Sequence, residues 1–257
     1  MAHAWMPGAR RIRAGTDGGP LRGGSPRAVW LTLGTAPGKV SVQSAAARLL
    51  AERRPCHLVW DPVTGEIAQL ISILRAGVAL GTADPLALGA TGPNGPAQGS
   101  SQPAVTGGGA ARGLGGTARP GISAPAGIRG ADTVDVNTEG RVCVQIGVLG
   151  HSTDPFTNGP LTGVSTIVSW LDSWSVPRRW PAGRPGKPCD DGSAACAARA
   201  RALWALGGHF GASQVPGCAS QGPGSIDTDL LTGTHVVQVH PREPRHPRSA
   251  AVIPIPA

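Results

Sequence analysis

The residues best suited to chemistry lie in one glycine- and proline-rich stretch, Leu206–Asp227. His209, Cys218 and Asp227 carry nitrogen, sulfur and oxygen donors, and these are the ligand types that zinc accepts in proteins. One hypothesis is therefore a metal site built from four donors: His57, His209, Cys218 and Asp227. The alternative is that His209 is an ordinary loop histidine that bonds to backbone, in a stretch where two glycine-punctuated turns are predicted at Gly207–Gly211 and Gly222–Gly224.

The elements that must position these residues begin with a short apolar run that predicts a buried strand. A helix follows, with apolar residues at helical spacing and Ser41 as its N-cap. Two further strands flank a turn-forming Asp-Pro-Val-Thr-Gly sequence, which is typical of a hairpin. The predicted elements are a strand at Ala28–Leu33, a helix at Ser41–Arg53, strands at Cys56–Trp60 and Glu66–Ile71, and a turn at Asp61–Gly65.

The second part of the chain is separated from the first by residues 81–133, which are mostly Gly, Ala, Pro, Ser and Thr. This stretch has no helical or strand period, and we predict a disordered insertion. Beyond it, the sequence predicts a central strand at Val142–Val148, helices at Val164–Trp174 and Ala194–Leu206, and a short strand at His235–Val239. Residues 1–26 are interpreted as a flexible leader, residues 27–240 as the folded domain, and residues 241–257 as a disordered Pro/Arg-rich tail. The expected fold class is α/β, a mixed central sheet flanked by helices.

Three segments resemble one family. His57-Leu-Val-Trp-Asp-Pro-Val-Thr-Gly-Glu-Ile-Ala-Gln-Leu is similar to the His-Tyr-x-Ile-x-x-x-Gly-x-Ile-x-Gln-Leu segment of zinc-dependent N-acetylmuramoyl-L-alanine amidases and peptidoglycan recognition proteins. The strand around Val142–Leu149 resembles that family's Ile-Gly-Ile-Glu-Leu strand, and Gly211–Val215 with Gly222–Gly224 resembles its last zinc-binding motif. The resemblance covers Ala28–Leu80 and Val134–Leu231 and implies the amidase and peptidoglycan-recognition fold.

The residues that carry the family's chemistry are substituted here. The positions that match its three zinc ligands hold Leu31, Ala212 and Gly222, and the position of its assisting glutamate holds Gly147. None of these side chains can bind zinc or accept a proton from water. The resemblance therefore implies peptidoglycan or muropeptide binding without catalysis and without a cofactor. The alternative is an active amidase with zinc held by the four donors named above, and a third possibility is a decayed protein that binds no ligand.

The binding hypothesis names side chains suited to sugars and peptides. Trp30 and Trp60 are candidates for stacking, although core packing is the competing interpretation for at least one of them. Arg178 and Arg179 are candidates for peptide carboxylates. The remaining candidate contacts are polar: His57, Asn137, His209, Ser213 and Gln214.

Charge and cysteine content limit the partners and the compartment. The net charge of +8 comes from dispersed arginines without interleaved aromatics, which argues against nucleic acid as a partner. No apolar segment follows the N-terminal arginines and no run is long enough to span a membrane, so we expect a cytoplasmic protein, or one released without a signal peptide. Cys189 and Cys196 either close a small loop or remain free thiols, and the second interpretation is favoured.

Overall fold

The structure, a computed structural model, describes residues 2–81, 135–186, 193–218 and 222–233. Several predictions lie outside the described residues: the insertion beyond residue 81 as far as residue 133, the thiol of Cys189, the strand at His235–Val239 and the tail at 241–257. The described parts form one mixed sheet with helices on its faces, which confirms the α/β class.

Six strands make up the sheet in the order β1-β4-β3-β5-β2-β6. Strands β3, β5, β2 and β6 run parallel to one another, whereas β4 is antiparallel to β3 and parallel to β1. The strands are β1 Arg10–Arg11, β2 Arg27–Thr32, β3 Leu58–Trp60, β4 Ile67–Gln69, β5 Cys143–Val148 and β6 Gly208–Gly211. The helices are α1 Val42–Ala51, α2 Val164–Ser173, α3 Ala194–Ala205 and α4 Thr228–Thr232. The predicted hairpin, central strand and three longer helices are confirmed to within a few residues at their ends.

The sheet has two buried faces, because side chains alternate along each strand. The groove face, defined by Val29, Leu31, Val59 and Phe210, packs against α1 and against Trp204 of α3. The tryptophan face, defined by Trp30, Leu58, Trp60 and Ile146, packs against α2 and α4. Since both faces are covered, β5 is buried along its whole length and β2 is buried as far as Leu31.

Helix α1 begins as predicted at Ser41, whose side-chain oxygen accepts a hydrogen bond from Ser44 N. Its buried residues are Val42, Ala45, Ala46 and Leu49, which form one apolar stripe against the sheet. The opposite side of the helix leaves Arg48 and Glu52 exposed near the carboxyl end of β2. None of the helices in the described ranges is long and apolar enough to cross a membrane.

The N-terminal segment is not a free leader, so that prediction is wrong for the residues described. Arg10 and Arg11 form β1 beside β4, and Met6 is buried in the tryptophan-face core. The side chain of Gln69 holds the segment in place, because its oxygen accepts from Met6 N and its amide donates to Ala4 O. The segment is rich in glycine, proline and arginine, so its composition predicted a flexible leader although a few of its residues make apolar contacts.

The predicted turn at Gly207–Gly211 is also wrong, because Gly208–Gly211 forms the edge strand β6. This strand pairs in parallel with β2. A β-carbon at Gly208 would lie 2.6 Å from Arg179 O, and one at Gly211 would lie 2.6 Å from Pro223 Cδ. The glycines therefore serve close packing on a strand rather than chain reversal.

Candidate functional site

The four substituted positions lie side by side at the carboxyl end of the parallel strands. Leu31 of β2 stands opposite Gly147 of β5. On the other side of β2, Trp30 stands opposite Gly211, so Ala212 comes next to Leu31. Gly222 reaches the same place, because its carbonyl oxygen accepts a 2.8 Å hydrogen bond from Ser213 N and its α-carbon faces the Thr32 hydroxyl. Positions far apart in the sequence thus share one end of the sheet.

A groove of about 330 Å³ opens beside Leu31 and Ala212 on the groove face. Its apolar wall consists of Leu31, Leu33, Leu49, Ala79 and Ala212. Its polar edge consists of Thr32, Arg48, Glu52 and Arg54. This volume lies at the lower end of the range for small-ligand sites.

Apolar groups occupy the place where a metal-assisted reaction would need ligands and a base. A β-carbon at Gly147 would lie 3.1 Å from both Leu33 Cδ2 and Cys56 Sγ, so Leu33 and Cys56 fill the space in front of this position. Burial raises the pKa of the Cys56 thiol to about 12, which keeps it protonated near neutral pH. Within the described ranges, no group of three or more His, Cys, Asp or Glu residues could hold a metal ion.

His209 does not reach this site, because it lies on the opposite face of the sheet from Ala212. Its register partner is Ala28, and its Nδ1 accepts a 3.0 Å hydrogen bond from Trp30 Nε1. The ring is fully buried between Trp30 and Trp180, with ring centroids 6.0 Å and 5.5 Å away. Burial lowers its pKa to about 4, so the imidazole is neutral near pH 7.

His57 is also a buried structural residue rather than a ligand contact. Its Nδ1 accepts from Gln145 N at 3.1 Å, and its Nε2 lies 2.8 Å from Arg75 O. Because Nδ1 is an acceptor, Nε2 carries the proton of the neutral ring. Burial again lowers the pKa to about 4.

The other two donors of the alternative metal site have separate roles. Cys218 is half-buried against the groove-face core. Asp227 caps α4 by accepting from Asp229 N and Leu230 N, and it lies 3.6 Å from the Arg184 guanidinium. The structure therefore does not bring His57, His209, Cys218 and Asp227 together.

Trp30 and Trp60 are not stacking platforms, so that prediction is wrong for both. Each is fully buried on the tryptophan face, with their ring centroids 6.1 Å apart. Trp60 Nε1 donates to Thr162 O at 2.8 Å, and Trp30 Nε1 donates to His209. Both indoles are core residues whose single polar atom is satisfied within the fold.

The predicted polar contacts hold the scaffold. Asn137 is buried, donates to Leu80 O and accepts from Gln145 Nε2. Gln214 closes the turn after β6 by accepting from Gly211 N and by donating to Ala182 O and Gly183 O. Ser213 directly follows the groove residue Ala212, and its backbone N donates to Gly222 O.

Arg178 and Arg179 lie away from the groove. Arg178 forms an ion pair with Asp172 of α2 and donates to Thr232 O of α4, so it ties together the two helices on the tryptophan face. Arg179 donates to Leu206 O before the start of β6. Neither arginine is placed to hold a ligand in the groove.

Sequence reasoning missed the charged residues that do edge the groove, Arg48, Glu52 and Arg54. The spacing of Arg48 and Glu52 by four residues was a visible signal for one exposed side of a helix. No pattern in the sequence links Arg54 to Leu31, because only the packing of α1 on the sheet brings them to one groove.

Among the cysteines, the favoured prediction of a free thiol at Cys196 is wrong, because this residue is disulfide-bonded. Cys56 and Cys143 are free thiols. Cys143 is the buried small residue of a central strand, and burial raises its pKa to about 12.

The chain matches no protein-family model, and searches of curated proteins and of solved structures likewise find no match.

Proposed function

We propose that this chain is a non-catalytic binding protein of the amidase and peptidoglycan-recognition fold, and that its groove binds muropeptides from peptidoglycan. The observation that supports the proposal is the convergence of Leu31, Gly147, Ala212 and Gly222 at one end of the sheet. These are the positions that the resemblance assigns to three zinc ligands and a glutamate. The resemblance alone would not require them to meet in space.

The composition of the groove favours binding over hydrolysis. A zinc amidase polarises a carbonyl with its metal and deprotonates a bound water, and both steps need donor groups that Leu31, Ala212 and Gly147 lack. The same substitutions leave a wall of aliphatic carbon, which suits the methyl groups of alanine-rich peptides. The four-donor zinc site has no observation in its favour.

The test is retention of the full-length chain on purified, insoluble peptidoglycan, with competition by soluble muropeptides. The Leu33→Trp variant adds bulk to the groove wall and should weaken retention at least about tenfold, by displacing ligand from a pocket of this size. Leu74→Trp is the matched control, because Leu74 is an exposed leucine outside the groove.

The same preparations should release no new amino groups from peptidoglycan with or without added zinc. Equal retention of the parent chain and of Leu33→Trp would show that peptidoglycan binds outside the groove. No retention at all would mean that the protein does not bind peptidoglycan. Zinc-dependent release of amino groups would favour the alternative hypothesis of an active amidase.

A further inference from the structure

The edge of the groove carries two guanidinium groups with different surroundings. Arg48 donates to Leu33 O at 2.6 Å and to Thr35 Oγ1 at 3.3 Å, and its Nε lies 3.8 Å from Glu52 Oε1. Arg48 is therefore bonded to the chain and shares its charge with a carboxylate.

Arg54 has a single anchoring bond, from Nη2 to Ala79 O at 3.0 Å. The ion pairs formed among the described residues do not include Arg54. Its guanidinium is exposed at the groove edge, and the bond to Ala79 fixes its position there. A guanidinium has five donor N–H groups, so one backbone bond leaves most of the planar fork for another acceptor.

The groove thus combines two complementary surfaces. Leu31, Leu49, Ala79 and Ala212 are buried behind the wall, and the partly exposed Leu33 presents apolar surface that a ligand can cover. Next to that wall Arg54 supplies a positive charge that no carboxylate in the described part of the chain pairs with. A ligand that matches both parts has small aliphatic side chains and a carboxylate close to them.

We propose that Arg54 binds the free C-terminal carboxylate of a short peptide whose small aliphatic side chains lie on the groove wall at Leu33, its partly exposed residue. This assignment rests on the proposed function, because it concerns the peptide part of the same ligand. Arginine suits the role because its planar fork can donate two parallel hydrogen bonds to one carboxylate, whereas lysine offers a point charge.

The experiment measures the affinity of the full-length chain for two soluble muropeptides by calorimetry. One ends in a free carboxylate and the other in a carboxamide, with all else equal. We expect the carboxamide to bind about tenfold or more weakly, because it cannot accept a charge-assisted bidentate contact. The Arg54→Ala variant should lose the preference for the carboxylate, and Arg54→Lys should retain part of it.

Arg53→Ala is the matched control, since Arg53 is the adjacent exposed arginine and does not edge the groove. It changes the net charge equally and should keep the preference for the carboxylate. Equal binding of both muropeptides by the parent chain would overturn the role of Arg54 while leaving the proposed function in place. Binding of neither muropeptide would overturn both.

Discussion

The two faces of the sheet divide the side chains in a way that the sequence order conceals. The tryptophan face holds Trp30, Trp60 and His209, which are the residues of richest chemistry, and it buries all three. The groove face holds Leu31 and Ala212, which carry only hydrocarbon, and it borders the groove. The comparison teaches that reactive residue types here serve packing, whereas the groove is lined by hydrocarbon: Leu31 and Ala212, which are themselves buried, and Leu33, which is partly exposed.

Acid should act first on the tryptophan face and on the neighbouring His57. The pKa values of His57 and His209 fall from the ordinary 6.5 to about 4 in the folded chain. Between these values the unfolded chain binds more protons, so the free energy of unfolding is undiminished above pH 6.5 and falls as the pH drops toward 4. By pH 4.5 the loss is on the order of 2–3 kcal/mol for each histidine, and roughly twice that for the two together.

Urea unfolding between pH 7 and 4.5 measures this loss. His209→Asn should remove about half of the pH dependence, and His151→Asn, on an exposed loop, is the control variant. A free energy of unfolding that stays constant over this range would mean that the two rings are hydrated and not buried.

The second comparison removes one large side chain from each face. Trp30→Ala should lower the free energy of unfolding by about 3–5 kcal/mol, because it empties a fully buried site and leaves His209 Nδ1 without its donor. Leu33→Ala, at the partly open groove wall, should cost roughly 1–2 kcal/mol because the lost volume borders solvent. Equal losses in thermal or urea unfolding would contradict the division of roles between the faces.

The third comparison restores donors to the groove face. A β-carbon at Gly222 would meet the Thr32 hydroxyl, so the variant is made in a Thr32→Ala background. There the triple variant Leu31→His, Ala212→His and Gly222→Asp should bind about one equivalent of zinc, because the three positions lie at one end of the sheet. At a free zinc concentration a hundred times the dissociation constant, it should gain about 2.7 kcal/mol of stability. Elemental analysis after dialysis measures the metal, and the corresponding variant with Gln at positions 31 and 212 and Asn at 222 is the control. Substoichiometric zinc in the triple variant would mean that the positions are too far apart to act as one site.

The smallest effect is expected at the groove edge. Glu52→Gln removes the exposed pair with Arg48, whose atoms are 3.8 Å apart, and should change the free energy of unfolding by less than about 0.5 kcal/mol. Chemical denaturation measures it, with Glu66→Gln as an exposed control outside the groove. A loss above about 1 kcal/mol would make this edge part of the stabilising core rather than a surface available to ligand.

The sequence predicted those elements whose signals are local. Ser41 followed by an apolar stripe predicted α1, and alternating apolar residues predicted β5. No local rule connects Leu31, Gly147, Ala212 and Gly222, so their position at one end of the sheet is known from the structure. The resemblance to the amidase family did not predict the hydrogen bond between Trp30 and His209 on the opposite face.

The errors have a common physical cause. Assigning a side chain to a face requires knowing that its segment is a strand, and the glycines of Gly208–Gly211 conceal β6. Once β6 is known, the three-residue step from His209 to Ala212 places them on opposite faces. The contacts of Arg54 depend on tertiary packing alone, so residue spacing in the sequence could not predict them.

The hydrogen bonds of the Gln69 side chain with Met6 and Ala4 hold the N-terminal segment against the sheet, which has a consequence for chains that lack this segment. Strand β1 pairs with the outer side of β4, so a chain cut before Ala14 would expose the backbone donors and acceptors of β4 along one margin of the molecule. Unpaired margins of this kind join to those of other molecules. A chain that lacks these residues should therefore self-associate, as measured by sedimentation or light scattering, although its groove is unchanged. The N-terminal residues thus protect the sheet edge from aggregation.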